Sequence, residues 1–123
     1  MSGAVGSANC VFCKIIAGEI PSPRLFENER VIAIRDVHPQ AKHHFLIIPK
    51  HHIASLTEAF NVEKEGRETL ADLFEAASRV VTETGLDAEG FRSVINTGEN
   101  GGQTVFHLHL HLLGGERLSG GFG

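Results

Sequence analysis

A chain of 123 residues is long enough for one hydrophobic core and too short for two independent ones. Its 15 acidic residues outnumber its 11 basic residues, and the formal net charge of -4 argues against a protein that binds nucleic acid nonspecifically. No stretch approaches the ~20 consecutive apolar residues that cross a bilayer, and the start of the chain lacks a basic region followed by an apolar one, so we expect a cytoplasmic protein with no membrane partner.

The beginning of the chain, residues 1–9, is small and polar without periodicity, and we expect it to be flexible. Cys10 and Cys13 follow it. They are so close in sequence that a disulfide between them would constrain almost no chain, so we interpret them as reduced thiols or as metal ligands. Residues 13–17 are predicted to form a short helix that ends at Gly18.

Three strands are predicted next. Residues 25–27 are a short candidate, residues 31–35 are apolar and β-branched, and residues 45–48 are an apolar run that Pro49 stops. The second and third of these strands should be buried.

The segment 31–52 is locally cationic, because three basic residues face Asp36 alone, and it holds five of the eight histidines. The other three histidines lie within residues 107–111. Surface histidines would be scattered along the chain, so two clusters indicate one site assembled in space. The local positive charge of this site is suited to binding a small anion.

One long helix is predicted over residues 63–84, where apolar side chains recur at helical spacing opposite a polar face, and Gly85 is its candidate left-handed cap. A further strand is predicted at 91–96, followed by turn residues at 96–102.

The glycine-rich tail, residues 116–123, is expected to be flexible. Strands joined by turns around a single long helix favour an α+β domain over residues 10–115, with a largely antiparallel sheet.

Residues 104–113 alternate strictly, and an extended strand would place their side chains on two faces. Phe106 and the three leucines at 108, 110 and 112 would face the core, and Val105 with His107, His109 and His111 the other side. Alternate residues on one face lie ~6.8 Å apart, so the outer histidines flank the middle one at about the size of a phosphate group. A polar face exposed to water would be served equally well by threonine, lysine or glutamate, so we predict phosphoryl chemistry here.

Some zinc hydrolases hold a catalytic metal with His-x-His on a strand and a third histidine, so a metal centre is the alternative. The preceding loop favours a phosphate instead. Gly98, Gly101 and Gly102 would let main-chain amides approach an anion closely, and Gln103 and Thr104 add polar groups.

The chain resembles the histidine triad (HIT) family, and in particular its HINT branch of nucleotide-binding proteins, over residues 10–115. The motif at 107–111 carries the resemblance, and four further segments agree with it, at residues 10–21, 36–41, 44–50 and 101–106. The resemblance implies a HIT fold, in which a five-stranded antiparallel sheet carries one long and one short helix and dimerises. It also implies a purine nucleoside phosphoramidase, a hydrolase that cleaves the P–N bond joining AMP or GMP to an amine.

By this resemblance, His109 is the nucleophile, whose Nε2 attacks phosphorus to form a nucleotidyl-histidine that water hydrolyses. His107, His111 and His44 would act as proton relays, with Thr104 and His111 on the side of the leaving amine. The expected nucleotide-binding residues are Asp36 at the ribose hydroxyls, Phe12, Ile34 and Val37 around the purine, and Asn96, Gly102 and Gln103 at the phosphate.

Similar proteins that carry the cysteine pair hold a structural zinc, with ligands that correspond here to Cys10, Cys13, His52 and His107. Two cysteines and two histidines suit tetrahedral zinc. The alternative is a pair of buried thiols, whereas a thioredoxin-like redox pair is disfavoured because no βαβ unit surrounds it. No cofactor is expected to be required for the chemistry itself. His43 and His51 are expected at the surface.

Two other functions stay open at this point. A dinucleoside polyphosphate hydrolase would share the triad and differ in its leaving group, and a nucleotide-binding module would act through a protein partner. The expected partners are purine nucleoside monophosphates, their phosphoramidates and a second copy of the chain, and no nucleic acid.

Overall fold

The computed structural model describes residues 9–61 and 65–121, which contain one five-stranded antiparallel sheet and three α-helices. The strands are β1 (Arg24–Glu27), β2 (Val31–Arg35), β3 (His43–Pro49), β4 (Phe91–Val94) and β5 (Leu110–Gly114), in the spatial order β1-β2-β3-β5-β4. The helices are α1 (Val11–Ile16), α2 (Leu56–Asn61) and α3 (Gly66–Thr84). The predicted α+β class with its antiparallel sheet is confirmed.

The centre of the sheet is buried on both faces. Val31 and Ala33 of β2 pack in the cluster that contains the apolar side of α3, whereas Ile32 and Ile34 pack with Phe12 of α1 on the opposite face. Burial on both faces explains why β2 and β3 are continuous apolar runs rather than alternating ones. The leucines of the histidine segment join the α3 side, so its histidines lie on the side of α1.

Several predicted boundaries differ from the observed ones. Helix α1 begins at Val11 rather than 13, because the Cys10 thiolate or thiol sulfur caps it by accepting from the N–H of Cys13 at 3.2 Å. Strand β3 begins at His43 because His43 pairs with Gly114 of β5. The predicted fourth strand ends earlier, at Val94. The sequence prediction omitted α2, and the predicted start of the long helix at 63 lies outside the described residues.

The prediction of a continuous strand over 104–113 is wrong in its first half. The ladder begins only at Leu110, opposite Ile47, and before it the N–H of Leu108 donates to the carbonyl of Ile53 at 2.7 Å. Phe106 is 54% exposed rather than in the core. The alternation of the side chains still holds from His107 onward, because the three leucines pack in the α3 cluster whereas His107 and His109 contact Phe12 of α1.

Gly85 ends α3 in the left-handed conformation with φ 78°, as predicted. No described helix has both the length and the hydropathy of a membrane span. In the tail, Glu116 accepts from the N–H of Lys42, and the carbonyl of Ser119 accepts from Arg92. Flexibility at the two ends of the chain stays a prediction.

Candidate functional site

The three histidines at 107, 109 and 111 lie side by side on the α1 face of the sheet. His107 is fully buried, His109 is 7% exposed and His111 is half-buried. The rings of His109 and His111 have centroids 4.9 Å apart, and the ring of Phe12 meets His109 edge-on at 5.0 Å. The expected grouping of the triad on one face is therefore present.

The hydrogen bond of His109 defines which ring nitrogen is bare. Its Nδ1 lies 2.7 Å from the carbonyl oxygen of His107, and a carbonyl only accepts, so Nδ1 carries the proton and Nε2 holds a lone pair. In the described residues no buried side-chain nitrogen or oxygen lacks a partner, and Nε2 has no hydrogen bond there, so this atom reaches the surface of the site. Burial lowers the pKa of His109, which favours the neutral ring.

His107 uses its two ring nitrogens differently. Nε2–H donates to the carbonyl of Pro49 at 2.8 Å, so Nδ1 presents its lone pair to the sulfur of Cys10 at 3.3 Å and of Cys13 at 3.5 Å. The Nδ1 of His52 lies 3.1 Å from this nitrogen and 3.2 Å from the Cys13 sulfur. Four donor atoms from three parts of the chain thus converge within 4.8 Å.

This cluster of Cys10, Cys13, His52 and His107 fits a tetrahedral metal ion. Zinc bond lengths place neighbouring nitrogen and sulfur ligands about 3.3 to 3.8 Å apart, close to the separations observed. The carbonyl that holds His107 Nε2–H is the usual second contact of a ligating imidazole. Burial and the neighbouring Cys10 raise the pKa of Cys13 to about 12, so a thiolate here requires a cation beside it.

A second group, formed by Asp36, His44 and His111, also brings its donor atoms within 4.8 Å. A cation there would need the lone pair of His44 Nε2, which would move the ring proton to Nδ1. The main-chain N–H of Gln40 donates to that same Nδ1 at 3.0 Å, so two donors would face each other. The geometry therefore disfavours a metal ion bound between His44 and His111.

The expected nucleotide-binding residues are placed as follows. Asp36 follows β2, and its Oδ1 accepts from the N–H of His38 at 2.8 Å. Phe12 and Ile34 are buried together in the cluster under α1, whereas Val37 is 83% exposed. Thr104, which was expected among the catalytic residues on the side of the leaving amine, is exposed at the start of the histidine segment.

The glycine turn is held by its own polar side chains. Asn96 Nδ2 donates to the carbonyl of Gly101 at 2.8 Å, and Gln103 Oε1 accepts from the N–H of Gly98 at 2.9 Å. The N–H of Gly102 and of Gln103 close the turn on Glu99 and Gly98. Gly102 has φ 83°, a conformation that favours glycine. The side chains of Asn96 and Gln103 therefore stabilise the conformation of this turn through hydrogen bonds to its main chain.

Replacing Gln103 by alanine is expected to lower the free energy of unfolding by about 1 to 3 kcal/mol, because it leaves three main-chain groups without their partner. Besides Gly98 N–H, the Gln103 amide donates to the carbonyls of Ala54 (2.8 Å) and Val105 (3.1 Å). Urea unfolding measures the change. Gln40→Ala, the same change at an exposed residue, is the control, and equal stability of the two variants would contradict the prediction.

Comparison with known proteins decides the family. Residues 17–118 match the model of the HIT domain. The chain belongs to the HIT family. An uncharacterized HIT-like protein of Synechococcus elongatus is 47% identical over 113 residues, covering 92% of this chain and 96% of that protein. The 14 kDa zinc-binding protein of Brassica juncea is 44% identical, covering 89% and 95%. A solved HIT family hydrolase from Clostridium thermocellum superposes with a TM-score of 0.87 at 46% identity, covering 94% and 98%.

Two contributors to this HIT site were absent from the sequence prediction. Gln40 acts through its main-chain N–H on His44, and Pro49 acts through its main-chain carbonyl on His107. A main-chain group leaves no signal in the residue type. The exposed positions expected for His43 and His51 are confirmed.

Proposed function

We propose that this HIT protein is a purine nucleoside phosphoramidase, which hydrolyses the P–N bond of AMP- or GMP-amines. The observation that carries the proposal is the bare Nε2 of His109, fixed by the bond from Nδ1–H to the His107 carbonyl. A neutral imidazole with a directed lone pair is the form in which histidine attacks phosphorus. The hydrogen bonds that disfavour a metal ion between His44 and His111 support attack on phosphorus by the ring of His109 itself.

The reaction would proceed in two displacements. In the first, His109 Nε2 bonds to phosphorus and the P–N bond breaks with its electron pair on nitrogen, which takes a proton from solvent and departs as the amine. In the second, water bonds to phosphorus, the bond to Nε2 breaks, and the proton of the water returns to solvent. One water is consumed, and AMP or GMP and the amine are released. Thr104 and the phosphate-binding residues Asn96, Gly102 and Gln103 are proposed to hold the substrate so that the P–N bond lies in line with His109 Nε2.

The decisive experiment compares leaving groups. Purified protein is incubated with adenosine 5′-phosphoramidate and, separately, with diadenosine polyphosphate, and AMP release is measured. Release from the phosphoramidate at the higher kcat/KM supports the proposal. Preference for the diadenosine compound would indicate a dinucleoside polyphosphate hydrolase, and no release from either substrate would leave a binding module.

Asp36→Asn is expected to raise KM about tenfold for a ribonucleotide phosphoramidate, since a charged acceptor at two hydroxyls contributes about 1.5 to 3 kcal/mol. The asparagine keeps an oxygen for the N–H of His38. For a 2′-deoxy substrate, Asp36→Asn should raise KM by a smaller factor than for the ribonucleotide. Asp87→Asn, at an exposed carboxylate in the 3-10 helix (Leu86–Ala88) that follows α3, is the control. An identical loss for ribose and deoxyribose substrates would contradict the assignment.

The metal at Cys10, Cys13, His52 and His107 is proposed to be a structural zinc. The donor set and its spacing support it, and the name of the Brassica juncea relative agrees. Within this cluster zinc would stabilise the fold and would not contact substrate.

A cytoplasmic homodimer completes the proposal. Strand β4 is an edge of the sheet, and Phe74 of α3 and Phe91 of β4 are about half-exposed. Among the described residues this edge has no partner strand, and it carries the exposed ring of Phe91, so it is a surface that a second copy could cover.

A further inference from the structure

His44 of β3 contacts the triad through His111. Its Nε2 lies 2.8 Å from His111 Nδ1 and 3.4 Å from Asp36 Oδ2, and its Nδ1 accepts the main-chain N–H of Gln40 at 3.0 Å. The His44 side chain is only 3% exposed. Both nitrogens of this ring are therefore engaged within the protein.

These contacts determine where the proton of each ring lies. A main-chain N–H only donates, so His44 Nδ1 holds a lone pair and the single proton is on Nε2. The carboxylate near Nε2 only accepts and independently requires the same tautomer. His44 Nε2–H must then donate to His111 Nδ1, which leaves the proton of His111 on its own Nε2.

The charge state agrees with this assignment. Burial lowers the pKa of His44, and burial with the neighbouring His109 and His44 lowers the pKa of His111 to about 4. Both rings are thus neutral near pH 7, as a chain of single donors and acceptors requires.

A proton shuttle must accept a proton on one nitrogen while it releases one from the other. His44 cannot accept at Nδ1, because the Gln40 N–H occupies that lone pair. Loss of Nε2–H alone would leave an imidazolate anion in a buried site, which is a costly species. The hydrogen-bonded chain therefore ends at His44.

We propose that His44 is a positioning residue that, held by the main-chain amide of Gln40, fixes His111 as a stationary Nε2–H donor to an oxygen of the substrate phosphoryl group. The inference rests on the proposed phosphoryl chemistry. It replaces the proton relay that the family resemblance implies for these two residues, because neither ring gains or loses a proton during turnover.

The tautomers can be observed directly. In protein labelled with 15N in its histidine rings, long-range proton–nitrogen correlation distinguishes a protonated ring nitrogen from a bare one. We expect protonated Nε2 and bare Nδ1 for both His44 and His111 near pH 7. We also expect AMP to shift the His111 Nε2–H signal without changing the tautomer. A protonated Nδ1 on either ring, or no response of His111 to AMP, would overturn the inference.

A pair of variants tests the positioning role. Glutamine at 44 places an amide N–H near the position of Nε2, so His44→Gln can still donate to His111 but cannot relay a proton; His44→Leu can do neither. His44→Leu should lower kcat by about 10²-fold or more and mix the His111 tautomers, whereas His44→Gln should stay within about tenfold of the wild type and keep Nε2–H. If His44→Gln lost as much kcat as His44→Leu while its His111 kept the Nε2–H tautomer, His44 would have to transfer a proton, and the proposal would be refuted.

The two proposals can fail separately. The spectrum needs no turnover, so the expected tautomers without phosphoramidase activity would contradict the proposed function alone. Activity with different tautomers would contradict this inference alone. Where neither variant folds, the wild-type spectrum decides.

Discussion

His109→Ala is expected to abolish phosphoramidate hydrolysis, with kcat lower by at least about 10³-fold, while AMP still binds. The alanine removes the nitrogen that would bond to phosphorus but leaves the neighbouring groups in place, because His109 uses its other nitrogen only for the carbonyl of His107. Turnover of adenosine 5′-phosphoramidate measures kcat, and calorimetric titration with AMP measures binding.

The matched control is His38→Ala, which removes an exposed imidazole and keeps the main-chain N–H that Asp36 accepts. Its kcat should stay close to that of the wild type. Rapid quenching of the wild-type reaction, followed by mass spectrometry, should find a nucleotidyl group on His109. An adduct on another residue, or undiminished turnover by His109→Ala, would remove the basis of the proposed mechanism.

The sheet was predictable because its strands carry local signals. Residues 31–35 matched β2 to the residue, since a β-branched apolar run buried on both faces has few other conformations. The histidine segment was harder. Its alternation correctly separates leucines from histidines, but alternation cannot show that the ladder starts at Leu110, because Ile53 supplies the partner of the Leu108 N–H instead.

Helix α2 was missed although the sequence carries a signal for it. Ser55 and Glu58 have the spacing of a capping box, and the Ser55 hydroxyl contacts the Glu58 carboxylate. Six residues with one buried side chain, Ala59, give little periodicity, so only the cap could have indicated this helix.

The sequence predicted which side chains form the site, but not the hydrogen bonds that connect them. The triad and the four candidate metal ligands follow from their residue types and from the family resemblance, and the structure brings both groups together. The tautomers depend on main-chain atoms of His107, Gln40 and Pro49, which any residue type could provide. These main-chain atoms determine which nitrogen of each imidazole is protonated, and only the folded structure shows where they lie.

Loss of the proposed zinc from the cysteine cluster is expected to cause the largest single loss of stability. Cys13→Ala should lower the free energy of unfolding by more than about 3 kcal/mol, or the melting temperature by roughly 10 °C, since structural zinc contributes its binding energy to folding. The cluster joins α1 to the segments around His52 and His107 across 94 residues of sequence, so its loss releases three parts of the chain. Thermal unfolding with and without a chelator, together with elemental analysis for zinc, measures this.

Lys14→Ala changes the same helix outside the cluster and should keep both zinc and melting temperature. The wild type treated with chelator should approach the melting temperature of Cys13→Ala, and Cys13→Ala should not respond to chelator. A catalytic metal would behave differently, because chelation would then stop turnover while the melting temperature stayed constant. The ring of His107 belongs to the cluster, whereas its main-chain carbonyl orients His109. Chelation should therefore lower the melting temperature first, and activity should decline only when the fold around His109 is lost.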